Sequence, residues 1–377
     1  MTDRPIATVA LAGVGLIGGS IGLGIRRHGV ARRIVGFDVD PVTLEAAHGM
    51  GVVDETWLSP GPWLGEVDLL VLAAPSGSLV QLAEKLLPHL KDGAVVTDVG
   101  SVKGPVVDGV RELLARPEMP RISFVGGHPM AGSERGGVLA ANAGLMENAV
   151  WVLTPEPGTD TGALDLVRDF VTRLGARPIE ISPEQHDGLA ATVSHLPYLA
   201  AVALTGMVDE GEDRDLKMLL AAGGFRDLTR VASGDPRMSR DMVFTNRGAV
   251  LVALRRFREQ LDSLESLLEE PATLLERAEA AKRARDGIPI VKRGLLPARY
   301  EATLAVLDQP GELARITRAL ADADINVKDL EVLNVRESGG AVRLAFESEE
   351  QLIGAARALG AIGYQVRTRN GNGDGAR

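Results

Sequence analysis

Of the six histidines in this 377-residue chain, His128 has the setting for acid–base chemistry. It follows the apolar run Phe124-Val125-Gly126-Gly127 and precedes Pro129-Met130-Ala131-Gly132-Ser133-Glu134, the pattern of a buried strand leaving its sheet into a tight loop. In open parallel sheets a strand tip faces the ligand crevice, and an imidazole there titrates near neutrality, so it can accept a substrate proton. A lone histidine at a strand end also serves as an ordinary hydrogen-bonded structural residue. Ser101 ends a second apolar run, Ala94-Val95-Val96-Thr97-Asp98-Val99-Gly100, and would reach the same crevice facing His128, or it N-caps a helix beginning near Val102. Arg226 and Arg230 stand in Gly223-Gly224-Phe225-Arg226-Asp227-Leu228-Thr229-Arg230, where a guanidinium fork could grip a carboxylate or simply pair with a neighbouring acid. His186 and Ser194, eight residues apart in a helical pattern, fall two turns apart on roughly one face.

A further group is set by spacing. Gly13-Val14-Gly15-Leu16-Ile17-Gly18 follows the strand pattern of residues 6–12 and opens a helical pattern that runs to about His28. Glycines at these positions permit a tight turn, close approach of a pyrophosphate and close helix packing, and the first helical turn at Leu16 and Ile17 offers unpaired amides to the anion. Asp38 ends the next strand, twenty residues past Gly18, where a carboxylate accepts bonds from ribose hydroxyls and repels a 2′-phosphate. The expected cofactor is therefore NAD; Arg32 and Arg33 are the residues that could soften that preference. Strands continue at residues 67–75, ending at Pro75, and at 94–101, 124–126 and 149–154, with helical patterns between. This alternation predicts a Rossmann-type doubly wound parallel sheet whose crevice carries Gly13, Pro75, Ser101 and His128.

The elements beyond follow different periods. From about residue 182 to 286 the pattern is helical, with one helix expected over 184–208 and another over 241–268; helices this long in so small a domain commonly pack on a second subunit, so a homodimer is expected. Residues 287–298 read as a linker. Residues 299–370 read β-α-β-β-α-β, an antiparallel sheet with helices on one face, and residues 371–377 as a disordered tail. The domains are thus 6–181, 182–286 and 299–370. Composition narrows the function. There is no cysteine, hence no disulfide or thiolate chemistry; a net charge of −10 argues against a nucleic-acid partner. The short apolar start breaks at Gly13 and Gly15, too early for a membrane span or signal sequence, so a cytoplasmic protein without membrane association is expected.

Together the motifs Gly13-x-Gly15-x-x-Gly18, Asp98-Val-Gly-Ser101-Val-Lys103, Gly127-His128-Pro-Met-Ala-Gly-Ser-Glu134, His186-Asp187, Ser194-His-Leu-Pro197 and Gly223-Gly-Phe-Arg-Asp-Leu-Thr-Arg230 resemble the prephenate/arogenate dehydrogenase family of tyrosine biosynthesis across nearly the whole chain. Leu307-Asp308-Gln-Pro310-Gly311-Glu-Leu313 resembles the signature of an ACT domain, a module that often binds amino acids. The resemblance implies that His128 takes the proton of the ring hydroxyl as hydride leaves for NAD, with Ser101 orienting it. It implies further that Arg230 holds a substrate carboxylate, that His186, Ser194, Tyr198 and Gly223 line the pocket, and that Ser133 and Glu134 close over it. No metal is implied. Tyrosine is the implied effector, through Asp308, Pro310 and Gly311. The family's Ser-His-Leu-Pro-His reads Ser-His-Leu-Pro-Tyr here; with no carboxylate beside Tyr198 to pair an ammonium, prephenate is the expected substrate and arogenate the alternative. A nonenzymatic NAD and amino-acid sensor would not need His128, Ser101 and Arg230 together. A β-hydroxyacid dehydrogenase would want a lysine within 184–208, and there is none.

Overall fold

The computed structural model describes residues 5–132, 136–288, 300–307, 309–336 and 339–370, in two compact units, Met1–Ile288 and Pro289–Arg377. In the first unit, strands β1 (Ile6–Ala12), β2 (Ala31–Phe37), β3 (Glu55–Trp57), β4 (Leu69–Leu72), β5 (Val95–Asp98), β6 (Ser123–Pro129), β7 (Val150–Thr154) and β8 (Arg177–Glu180) form one sheet in the order β3-β2-β1-β4-β5-β6-β7-β8. Helices α1 (Leu16–His28), α2 (Pro41–Gly49), α3 (Leu79–Leu86), α4 (Gly104–Leu114) and α5 (Thr161–Arg173) accompany it. Successive strand residues feed opposite faces: Val9, Leu11 and Val71 join one apolar cluster with Ile21 and Phe170, while Ala10, Leu70 and Leu72 join another with Leu86 and Val110. Coverage on both faces is why β4 is buried throughout and its sequence is apolar throughout.

The sheet is not parallel throughout. β1 to β6 are, but β7 runs antiparallel to β6 and β8 then follows β7. The reason lies in the connection: among the described residues between Pro129 and Val150 there is only a short 3₁₀ turn, Val138–Ala140, and without a crossover helix two adjacent strands must be antiparallel. That connection starts and ends at the carboxyl tip of β6 and is pinned to α1, where Ser20 Oγ accepts from the Asn142 amide at 3.0 Å. β3 has three residues, too few to show an alternating pattern in the sequence.

A continuous helical run follows: α6 (Pro183–Ala190), a π-turn at Ala191–His195, and α7 (Leu196–Asp209). Then come α8 (Arg214–Leu220), α9 (Gly223–Thr229), α10 (Pro236–Thr245), α11 (Arg247–Ser266) and α12 (Pro271–Asp286). The single helix expected over 241–268 is two, broken at Asn246, whose buried side chain leaves the helical pattern to donate to Asp187 O at 2.9 Å and to meet His195 Nδ1 at 3.2 Å.

In the second unit β9 (Tyr300–Val306), α13 (Glu312–Asp322), β10 (Asp329–Arg336), β11 (Gly339–Phe346), α14 (Glu349–Ala361) and β12 (Val366–Asn370) form an antiparallel sheet of order β10-β11-β9-β12 carrying two helices over a core of Leu304, Ile316, Val342, Leu344 and Leu352. The tail at 371–377 and most of the linker lie outside the described residues.

Candidate active site

Each glycine of the first turn has its own physical reason. Gly13 has φ +102°, and a Cβ there would sit 2.3 Å from Ala73 O; its amide donates to Phe37 O at 2.7 Å. A Cβ on Gly18 would lie 1.9 Å from Gly13 O, so α1 can approach the strand only without one. Around Gly15, the N-cap of α1, a Cβ meets nothing within 4 Å, and no side chain caps the helix. This leaves an open cradle beside unpaired helix N-terminal amides, Leu16 and Ile17 lying half-buried in the first turn: a site that fits a pyrophosphate. Asp38 is held at the edge of this turn by two amides, Val14 N to Oδ2 at 3.0 Å and Asp40 N to Oδ1 at 3.1 Å. Arg33 does not soften its charge, because it is engaged by Glu55 (2.8 Å) and Glu66.

His128 lies near the end of β6, which outlasts its neighbour: pairing with β5 stops at Val125, whereas pairing with β7 continues through His128, opposite Val152. The two glycines before it are forced by crowding. A Cβ on Gly127 would meet Asp98 O at 2.7 Å and Trp151 Nε1 at 2.9 Å, and one on Gly126 would meet Thr154 Oγ1 at 2.3 Å. The backbone N–H and C=O of Gly127 are clamped by a fully buried ion pair. Asp98 Oδ1 accepts from Gly127 N at 3.0 Å, Lys103 Nζ donates to Gly127 O at 2.7 Å, and Lys103 and Asp98 bond to each other. Desolvation lowers the Lys103 ammonium below its usual range, against the opposing pull of Asp98.

The His128 ring is half-buried, and its Nδ1 lies 2.8 Å from Nε2 of His186, the rings meeting edge-on with centroids 5.1 Å apart. His186 Nδ1 in turn lies 2.7 Å from Asp187 Oδ1. Asp187 also receives the first amides of α4, Lys103 N at 2.7 Å and Gly104 N at 2.8 Å. Desolvation, then the neighbouring His186, Lys103 and His195, push the His128 imidazole well below its usual range, so it is neutral at physiological pH. A neutral imidazole in a crevice is a proton acceptor.

The expected site residues are thus only partly brought together. Ser101 does not cap α4, which begins at Gly104 and is capped by Asp187; the Ser101 hydroxyl sits 3.2 Å from Ser76 Oγ, just past Pro75. His186 is buried where α6 packs on α4 and β7, but Ser194 is exposed, since Ala191 and His195 are the residues of the π-turn that face inward, Ala191 against Val250 and Ala253 of α11. Gly223 and Arg230 are exposed and Tyr198 is half-buried. Ser133, Glu134 and Asp308 lie outside the described residues. Pro310 and Gly311 line a cavity of about 330 Å³ in the second unit with Leu307, Gln309, Val332 and Val342. Sequence reasoning assigned no role to Asp98, Lys103, Asp187 or Asn246. The one available signal was a charged residue inside an apolar strand, at Asp98. His195 is fully buried, with its Nε2 unpartnered among the described residues and its ring pushed down to about 4 by desolvation.

Two family models match the chain: prephenate dehydrogenase, nucleotide-binding domain, over residues 21–180, and prephenate dehydrogenase, dimerization domain, over residues 182–277. The prephenate dehydrogenase of Bacillus subtilis is 36% identical over 348 residues, 91% of this chain and 93% of that one. Among solved structures, prephenate dehydrogenase from A. aeolicus in complex with hydroxyphenyl propionate and NAD+ is 34% identical, with a TM-score of 0.71 covering 76% of this chain and all of that one. Synechocystis arogenate dehydrogenase is 32% identical, with a TM-score of 0.65 covering 74% of this chain and 99% of that one.

Proposed function

Because this chain belongs to the prephenate dehydrogenase family, we propose that it oxidises prephenate with NAD, giving 4-hydroxyphenylpyruvate, CO₂ and NADH. The observation that carries the reading is the placement of His128 at the tip of β6, bonded to the buried His186, in a sheet whose first turn leaves room at Gly15 for a pyrophosphate. Gly13, Gly15, Leu16, Ile17 and Gly18 hold the cofactor's phosphates, Asp38 its ribose, and Pro75 and Ser101 flank its reactive end. NAD, when bound, supplies the hydride acceptor. His128 takes the proton of the ring hydroxyl as the carbon–hydrogen electron pair leaves. It returns that proton to the oxygen once the ring carboxylate has departed as CO₂ and the ring has become aromatic, so no net proton is consumed. Arg230 holds a carboxylate of the dianionic substrate, with Ser194, Tyr198 and Gly223 around the side chain. The protein works as a cytoplasmic homodimer through its helical segment, and tyrosine, bound in the cavity beside Pro310 and Gly311, regulates it.

The test is NADH formation from prephenate. His128→Asn is expected to lower turnover by about 10²–10⁴-fold while Arg230→Ala mainly raises KM; near wild-type turnover in His128→Asn would place the base elsewhere. Likeness to the Synechocystis arogenate enzyme and the presence of Tyr198 keep arogenate as the second reading. A kcat/KM for arogenate more than about tenfold above that for prephenate, a gap of some 1.4 kcal/mol, would decide for it.

A further inference from the structure

With His186 neutral, the bonds linking His128, His186 and Asp187 admit one arrangement of protons. Asp187, as a carboxylate, only accepts, and it already receives the amides of Lys103 and Gly104 at 2.7 and 2.8 Å. The His186 nitrogen 2.7 Å from it, Nδ1, must therefore carry a hydrogen. A neutral His186 then has its lone pair on Nε2, which faces His128 Nδ1 at 2.8 Å, so that nitrogen must carry a hydrogen as well. The consequence falls at the far side of the His128 ring, where Nε2 is left bare. In the opposite arrangement a lone pair of His186 would face the carboxylate, and His128 would present a hydrogen where a base is needed.

Burial keeps the chain in register. The His186 ring is almost wholly enclosed, Asp187 is locked to the start of α4, and Asn246 Nδ2 bonds the Asp187 carbonyl at 2.9 Å. His128 itself is fixed by pairing with Val152.

We propose that His186 and Asp187 are positioning residues that set the tautomer of His128, making Nε2 the atom that receives the substrate proton, rather than substrate contacts. The inference rests on His128 being the base. It also explains why an aspartate follows the histidine directly: one carboxylate ties the helical segment to α4 and orients the base through a single intervening ring.

Two measurements on the 377-residue protein test it. In ¹⁵N spectra of histidine-labelled enzyme, with His128→Asn and His186→Gln used to assign the signals, His128 and His186 should both be protonated at Nδ1 and bare at Nε2. A His128 protonated at Nε2 in the wild type overturns the proposal, and this reading does not depend on any variant being active. In steady-state assays His186→Leu, which offers no acceptor, should lower kcat by about 10²-fold with KM little changed. His186→Gln, whose amide oxygen can take the place of Nε2, should recover most of the loss. Unchanged kcat with a raised KM in His186→Leu would make His186 a substrate contact and overturn the proposal. If His128→Asn keeps near wild-type turnover, the base itself has been misassigned. If His128→Asn is inactive and His186→Leu behaves as wild type, only the tautomer chain fails.

Discussion

Lys103 and Asp98 show what one buried charge is worth in this site. Both are fully enclosed, and together they hold the backbone N–H and C=O of the residue that precedes the base. Lys103→Met leaves a carboxylate without its partner and should destabilise the protein by about 3–5 kcal/mol, read from urea unfolding. The same change removes a cation from the surroundings of His128 and so should raise its pKa. In the wild type His128 is held well below the usual 6.5 by desolvation first and then by His186, Lys103 and His195. Neutral His128 therefore persists as pH falls through 6.5, and the acid limb of kcat/KM should appear only well below that value; a limb centred at 6.5 or above would contradict the geometry. His195 adds a stability term of the same sign. Its folded value of about 4 lies below the unfolded one near 6.5, so the unfolded chain binds the extra proton. Its contribution is complete above pH 6.5 and is lost as pH falls toward 4, at up to about 1.4 kcal/mol per pH unit. Unfolding free energies at pH 7 and pH 5 should show the fall, and His195→Gln should shrink it.

At the scale of elements, β6 and the first turn of α1 illustrate two uses of glycine that a sequence pattern cannot separate. Gly18 is required by packing, whereas a Cβ on Gly15 would meet nothing within 4 Å, the space the proposed cofactor would use. Gly18→Ala should therefore lower Tm along with activity. Gly15→Ala, at φ −71° and with no neighbour within 4 Å, should leave Tm unchanged and raise KM for NAD. Equal losses of stability in both would mean that the cradle is not open. The helical run from Pro183 to Asp209 is similarly divided in purpose. Pro183, His186, Asp187, Ala190 and His195 are buried, whereas Leu189, Val193 and Met207 are exposed.

For the whole molecule, exposure of large apolar residues is concentrated in the helical segment: Leu219 is 80% exposed, Leu220 71%, Phe244 69% and Met207 68%. A face of this kind is expected to be covered by a second subunit, and most of the proposed substrate residues, Ser194, Gly223 and Arg230, are exposed in the same segment. Leu219→Glu with Leu220→Glu should shift the protein to a monomer in sedimentation and reduce prephenate turnover. The second unit has its own core and its own cavity. A chain ending at residue 288 should keep turnover and lose inhibition by tyrosine; unchanged inhibition would place tyrosine in the active site.

What the sequence determined by itself is what depends on local period and short-range geometry. The glycine turn, Asp38 at the end of its strand, the tip position of His128, the change from strand alternation to helical period near residue 182 and the βαββαβ order are all of this kind, because backbone sterics and apolar periodicity act within a few residues. Tertiary structure decided what depends on partners far along the chain. Asp187 caps a helix that begins 83 residues before it, and His186 meets a histidine 58 residues away. Asn246 breaks a helix to bond a carbonyl 59 residues distant. β7 reverses because the connection before it holds no crossover helix among the described residues. No local preference specifies such pairings: a buried polar group must find a partner, and which one it finds is fixed only when the elements have packed.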